Sequence, residues 1–361
     1  MSRAVALRIW RVTLAVGAAL GALAACTGTK VAETSMPPAG PSGPAAARTT
    51  YPLTIDNCGR QVTFTRAPQR VVLLNGASVA EVESLIALGV QDRVVANSQR
   101  YGVSDDPEMV AKIAALPTGG VKLNENFEVP REQVLATAPD LVISTWAGGF
   151  DDKIGSISRD QLAKAGINSY VTPANCALGA TDPRPADQEK YRKRSVESSF
   201  ELLTELGLVF DVQQRAADLV GEARRQLAAL SPPPGQPKRV LVVYPGMATM
   251  NTSGLPAVFA GGLYDDIIRR AGGVNVFTGA GDKELSEINA EALAAANVDL
   301  LVVGRYQQDE DAKAMAEKLF NQFPQWPASK RKTYTSVSDS FYLGPLNTIA
   351  VKRISDAVRA A

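Results

Sequence analysis

Histidine is absent from all 361 residues of this chain. Without an imidazole there can be no Ser-His-Asp or Cys-His base system. Zinc and manganese sites built on histidine are excluded for the same reason. No Gly-x-Ser-x-Gly, P-loop or Gly-x-Gly-x-x-Gly motif occurs. Ser329-Lys-Arg-Lys332 fits Ser-x-x-Lys, but its Ser-Asp-Asn and Lys-Thr-Gly companions are missing. Lys330, Arg331 and Lys332 read most simply as a solvated charge run. No catalytic residue is therefore expected. A basic excess is missing too, with Lys+Arg at 38 against Asp+Glu at 37, which argues against a nucleic-acid partner. Apolar runs are short: the longest, Val12 to Ala25, falls below the about 20 residues that span a bilayer.

What precedes and follows that run fixes a compartment. Arg3, Arg8 and Arg11 lie ahead of it and small residues close it, the pattern of a secretory signal over residues 1–25. Leu23-Ala24-Ala25-Cys26 resembles a bacterial lipobox, so Cys26 is the expected lipidation site, an acyl anchor that holds the protein at a membrane without spanning it. Ordinary cleavage near an Ala-x-Ala site is the alternative. Residues 26–50, rich in Ala, Pro, Gly, Ser and Thr, read as a tether. The expected location is the outer face of the cytoplasmic membrane. Only Cys58 and Cys176 then remain, either a disulfide, as export permits, or two separate buried thiols.

One phrase occurs twice. Glu132-Gln-Val-Leu-Ala-Thr-Ala-Pro-Asp140-Leu-Val-Ile returns as Glu291-Ala-Leu-Ala-Ala-Ala-Asn-Val-Asp299-Leu-Leu-Val. In each, a glutamate opens a short helix and an aspartate precedes a buried parallel strand. Arg70–Leu74 and Arg239–Tyr244 read as further buried strands, and Tyr51–Phe64 as a hairpin turning at Asn57-Cys58-Gly59-Arg60. Ala186–Leu206 reads as a helix ending at Gly207. Asp211, with Gln214 in capping-box register, should cap a second helix reaching Leu230. The expected fold is α/β: two Rossmann-like lobes with parallel central sheets, joined by a long rigid interlobe helix. The N-terminal lobe takes residues 51–185, the interlobe helices 186–235 and the C-terminal lobe 236–361.

These features together resemble the class III substrate-binding proteins of ABC importers, the siderophore, haem and cobalamin group. Ile55-Asp-Asn-Cys-Gly-Arg-Gln-Val-Thr-Phe64, Ala67-Pro-Gln-Arg-Val71, Glu83-Ser-Leu-Ile-Ala-Leu-Gly89, Pro139-Asp-Leu-Val-Ile143 and Ala271-Gly-Gly-Val-Asn-Val-Phe277 carry the resemblance. It extends over residues 51 to about 358. Val298 stands where the family favours proline, and Asn289 where it favours an aromatic. The resemblance implies a monomeric, non-enzymatic binder that hands a bulky ligand, foremost a ferric siderophore, to an ABC permease dimer. It also implies that Glu132 and Glu291 dock into arginine pockets of that permease; carboxylates in the first turn of a helix are favoured there on their own account, and Glu83 is an acidic alternative. A sensor or adhesion module on the same fold, or a binder of haem or cobalamin, is the competing reading.

Ligands of such folds lie where the carboxyl ends of the strands open into a crevice. By position, Asn75, Arg100, Tyr101 and Trp146 from the first lobe are the candidates, with Tyr244, Asn251, Arg305 and Tyr306 from the second. Arginine suits anionic chelate oxygens, and aromatics supply flat surface with a polar edge. Trp146 beside Gly148-Gly149, and Arg305-Tyr306, lead this set. No metal site and no resident cofactor are expected, because a chelate carries its own iron.

Overall fold

The computed structural model describes residues 48–76, 78–100, 103–231 and 235–361; residues 46–361 cluster as one compact unit. The first segment is an antiparallel hairpin, β1 (Leu53–Asn57) and β2 (Arg60–Phe64). It turns through Cys58 and Gly59, both with positive φ, as a two-residue hairpin loop requires. A four-stranded parallel sheet follows, built from β3 (Val71–Leu73), β4 (Val94–Asn97), β5 (Leu141–Ser144) and β6 (Asn168–Val171) in the order β4-β3-β5-β6. Its helices are α1 (Ala80–Ala87), α2 (Pro107–Ala114), α3 (Arg131–Ala136) and α4 (Arg159–Lys164).

Three helices then cross to the second sheet: α5 (Pro185–Arg192), α6 (Val196–Val209) and α7 (Gln213–Ala229). That sheet holds β7 (Lys238–Tyr244), β8 (Ala257–Val258), β9 (Gly273–Asn275), β10 (Leu300–Gly304) and β11 (Tyr334–Val337). Its order is β11-β10-β7-β8, with β9 beside the start of β7 and only β8 antiparallel. The remaining helices are α8 (Gly262–Arg270), α9 (Asp282–Ser286), α10 (Ala290–Ala295), α11 (Ala312–Gln322), α12 (Pro327–Arg331) and α13 (Asn347–Ala360).

The repeated phrase is a repeated device. Glu132 and Glu291 each occupy the second position of a short helix, α3 and α10. The amide of Asp140 donates to the carbonyl of Arg70 at 2.9 Å, and that of Asp299 to the carbonyl of Arg239 at 2.9 Å. In return, Asp140 accepts from the amides of Gln69 and Arg70, and Asp299 from the amide and guanidinium of Arg239. Each aspartate thus fixes the register between its own strand and the neighbouring one. Asn289, where the family favours an aromatic, caps α10 by accepting from the amide of Ala292.

Alternate residues of the central strands divide between a shared core and an outer core on each sheet, as the period of two demands. Leu141, Ile143, Val240, Val242, Leu300 and Val302 enter one cluster that runs without a break from Phe64 and Leu85 through Phe200, Leu203 and Leu206 to Ile267 and Val351. Val142 faces a separate outer cluster of the first sheet, and Leu301 and Val303 one of the second.

The crossing helices depart from expectation in three ways. The helix anticipated over 186–206 breaks at Lys193–Ser195, where Ser195 and Ser198 form a capping box for α6. Gly207 lies inside α6 rather than ending it: a Cβ there would come within 2.6 Å of the Ala216 Cβ, so glycine permits the close approach of α6 and α7. Asp211 does not cap α7. Its φ is +60° in the turn between the helices, and its carboxylate accepts from the Thr49 amide at 2.7 Å instead. The Arg215 guanidinium, near the start of α7, donates to Ala87 O in the first lobe, while Arg359 of α13 donates to Ser231 O just past its end. This 17-residue helix spans both lobes over about 25 Å.

Candidate functional site

Loops that follow the strands of both sheets line a cavity of about 350 Å3. Ser78, Thr145, Asn175 and Leu178 wall it from the first lobe, following β3, β5 and β6. Met247, Met250, Phe259, Leu263, Tyr264, Tyr342 and Leu343 wall it from the second, and Tyr191 and Arg194 come from the crossing segment. The wall is mainly apolar, and among the described residues its charged side chains are Arg194 and Asp282.

Arg194 is held in place before any ligand arrives. Its guanidinium stacks over the Tyr191 ring at 3.7 Å, Nε donates to Tyr191 O at 2.9 Å and Nη1 to Asn175 Oδ1 at 3.1 Å. The break between α5 and α6 puts the residue there. Burial raises the Tyr191 phenol above its usual range, pushes that of Tyr264 up to about 12 and lifts that of Tyr342 well above its usual range. At neutral pH all three are protonated and able to donate.

A buried polar layer supports the first-lobe wall. Glu81 lies beneath Thr145 and accepts from Thr145 Oγ1 and Thr172 Oγ1 at 2.6 Å each and from Gln99 Nε2 at 3.0 Å. Burial raises its carboxyl, and these donors pull it back. The Asn175 side chain donates to Thr145 O at 3.0 Å. Next to it, Cys176 is bonded to Cys58, tying the hairpin turn to the cavity wall.

None of the seven described residues anticipated for the ligand is among those walling this cavity. Asn75 donates to Phe127 O at 2.7 Å, and Arg100 is exposed. Tyr101 lies outside the described residues, as does Cys26. Trp146 packs on Gly148 and on Gly179, the residue after Leu178 of the wall. Tyr244 is a core residue: it is fully buried against Gly304, edge-on to Phe259, and its hydroxyl donates to Ser338 O. Asn251 is buried in a turn, donating to Ile288 O and accepting from the Ser253 amide. Arg305 and Tyr306 are half-buried after β10. The sequence reading missed Arg194, Tyr191, Tyr264 and Tyr342. Glu132 and Glu291 are both exposed; the Glu132 carboxyl is lowered by its own main-chain amide and then by Arg131. Glu83, by contrast, is buried and cannot meet a partner protein. Among the described residues no group of three acidic or thiol side chains is arranged to hold a metal ion, and no helix is long and apolar enough to cross a membrane.

A family model described as "Periplasmic binding protein" matches residues 72–333. No curated protein is matched by sequence comparison. Among solved structures, the chain is similar to an ABC-type Fe3+-hydroxamate transport protein of Saccharomonospora viridis, at 25% identity and TM-score 0.63 over 85% of this chain and 99% of that one. A periplasmic binding protein of Veillonella parvula shares the fold at 19% identity and TM-score 0.67, over 86% of this chain and 98% of that one. The periplasmic haem-binding protein of Vibrio cholerae shares it at 18% identity and TM-score 0.56, over 80% and 98%. Two α/β lobes on a common core, a cavity lined by the loops after their strands and a family match over most of the chain lead to one conclusion: this chain belongs to the periplasmic binding protein family, as a class III substrate-binding protein of the ABC-importer kind and not an enzyme.

Proposed function

We propose that the chain captures a ferric siderophore of hydroxamate type in the cavity around Arg194 and delivers it to an ABC permease. The observation that carries the ligand class is the charge balance of the wall, one guanidinium against one carboxylate in an apolar surround. Burying a multiply anionic tricatecholate there leaves charge without a counter-charge, which is costly. A ferric trihydroxamate is neutral at iron and presents oxygens that Arg194 and Tyr264 can meet as donors, while the Tyr191 hydroxyl donates to Asp282. Haem fits less well. The chain lacks histidine, and a tyrosine ligand must give up a proton that burial retains at Tyr264 and Tyr342.

Delivery is assigned to Glu132 and Glu291, exposed at equivalent positions of two matching helices and so able to present one carboxylate from each lobe. Cys26 is the proposed lipid anchor, and the continuous core favours a small closure on binding. Titration of the purified protein with a ferric trihydroxamate, a ferric tricatecholate, haemin and cobalamin tests the ligand class. Submicromolar binding of the first, weakened about 10–100-fold in Arg194→Met, is expected. Haemin binding alone would replace the substrate. Glu132→Arg with Glu291→Arg should abolish cellular uptake and leave that affinity unchanged.

A further inference from the structure

Apart from the ligand cavity, the lobes meet in a buried cluster of three carboxylates and one guanidinium. Glu83 of α1 and Asp105, in the loop before α2, come from the first lobe; Asp339, after β11, and Arg353 of α13 come from the second. Glu83, Asp105 and Asp339 are each more than nine-tenths buried. Asp105 is well satisfied. It accepts from the Ser338 amide at 2.6 Å, from Ser340 Oγ and from the Arg353 guanidinium, and its own amide donates to Asp339 Oδ1 at 2.7 Å. Arg353 is therefore spent on Asp105, and also reaches the carbonyls of Asp105 and Ser336.

Among the described residues, Glu83 and Asp339 have no ion-pair partner of their own, Arg353 pairing with Asp105. Ser104 Oγ donates to Glu83 Oε1 at 3.0 Å. Asp339 Oδ1 is used, but its Oδ2 is buried without a donor from any described residue. The two carboxyls belong to one cluster: Ser104, the donor to Glu83, is followed in the chain by Asp105, whose amide holds Asp339. An orphaned carboxylate oxygen beside a second buried carboxyl calls for a proton between them.

We propose that Glu83 is a carboxylic acid that donates its proton to the orphaned oxygen of Asp339 across the lobe boundary, and that this hydrogen bond positions the cavity wall. The connection to the wall is short. Asp339 O accepts from the Tyr342 amide at 2.8 Å, and Tyr342 and Leu343 wall the cavity. The same segment touches α1 closely, because a Cβ at Gly344 would meet the Ala80 Cβ at 3.0 Å. Burial is the largest influence raising the Glu83 carboxyl, with Asp339 next and Asp105 adding to it, while Ser104 opposes. Glu81, on the same helix, turns to its own donors Thr145, Thr172 and Gln99, and the Glu108–Lys112 pair of α2 is exposed. The folded state holds a proton that the unfolded chain has released at neutral pH. Stability from it is present at low pH and is lost as pH rises.

Infrared spectroscopy of the whole protein reads the proton directly. In the difference spectrum of wild type minus Glu83→Gln, a protonated carboxyl C=O band should stand at neutral pH and fade on the alkaline side, apart from the Glu128 band common to both proteins; the amide of Glu83→Gln keeps a donor toward Asp339. Wild-type Tm should fall by about 4 °C or more between neutral and alkaline pH, and that of Glu83→Gln by less. Near-ultraviolet circular dichroism of the wall tyrosines should change with the same midpoint in the wild type only. In Asp339→Asn the band should vanish at lower pH, which decides the matter even where Glu83→Gln fails to fold. No band in that difference spectrum at neutral pH overturns the proposal. A band that titrates without any change in the tyrosine signal overturns the positioning role.

Discussion

Replacing Cys58 and Cys176 by alanine tests how the hairpin, the first sheet and the cavity depend on one covalent tie. The bond closes a loop with a sequence separation of 118, which in the chain-entropy account restricts the unfolded state by about 5 kcal/mol. Against a typical domain stability of about 5–15 kcal/mol this is a large share. The native contacts around the bond should survive its loss. Asn57 pairs with the main chain of Val171 at 2.8 and 2.9 Å, and Arg159 donates to Asn57 O and Oδ1, so the hairpin stays on β6 without the sulfurs. Urea unfolding should show a midpoint lower by about 1.5 M, taking a slope of about 3 kcal/mol per molar, and a steeper slope because the unlinked chain expands further. The second readout is binding. Cys176 follows Asn175, which holds both Arg194 and the carbonyl of Thr145, so the affinity for a ferric trihydroxamate should fall about tenfold. A midpoint shift below about 0.3 M with a steeper slope would refute the entropic reasoning. Intact affinity would refute the transmission to the wall.

Glu128 is buried, its Oε2 has no partner among the described residues, and burial pushes its carboxyl up to about 7. Because the folded value lies above the unfolded one, stability should fall as pH rises from about 4.5 through about 7. Glu128→Gln should flatten this slope in thermal melts and be the more stable protein at pH 8 by about 1 kcal/mol after solvent screening. Asp299 behaves oppositely: the Arg239 hydrogen bond lowers its carboxyl, so its contribution holds above the usual carboxylate range and is lost in acid. Asp299→Asn should cost about 1–2 kcal/mol at neutral pH and nothing at pH 2; an equal cost at both would exclude the ion pair as the cause. Gly207→Ala should destabilise by about 1–3 kcal/mol through overpacking, and adding Ala216→Gly should restore most of it in denaturant melts.

The parts of the fold that were legible in the sequence are those whose determinants are local. The repeated phrase works through a glutamate in a first turn, an aspartate at the start of a strand and alternating branched residues, all within a dozen positions. Strand parity could have corrected one site assignment. Tyr244 shares the parity of Val240 and Val242 and so belongs to the shared core rather than the cleft. Arg194 was hidden by reading residues 186–206 as one helix, although Ser195 with Ser198 carried the capping signal that breaks it. The lobe boundary gave no such signal. Asp105 and Asp339 are 234 residues apart in the chain, on loops with no period, and only the folded molecule brings them together. The local anomaly was Glu83 itself, a carboxylate beside Glu81 in a helix whose other buried positions are apolar or small. Buried acids of that kind require either a cation or a proton. With Arg353 committed to Asp105, the proton is what remains for Glu83 and Asp339.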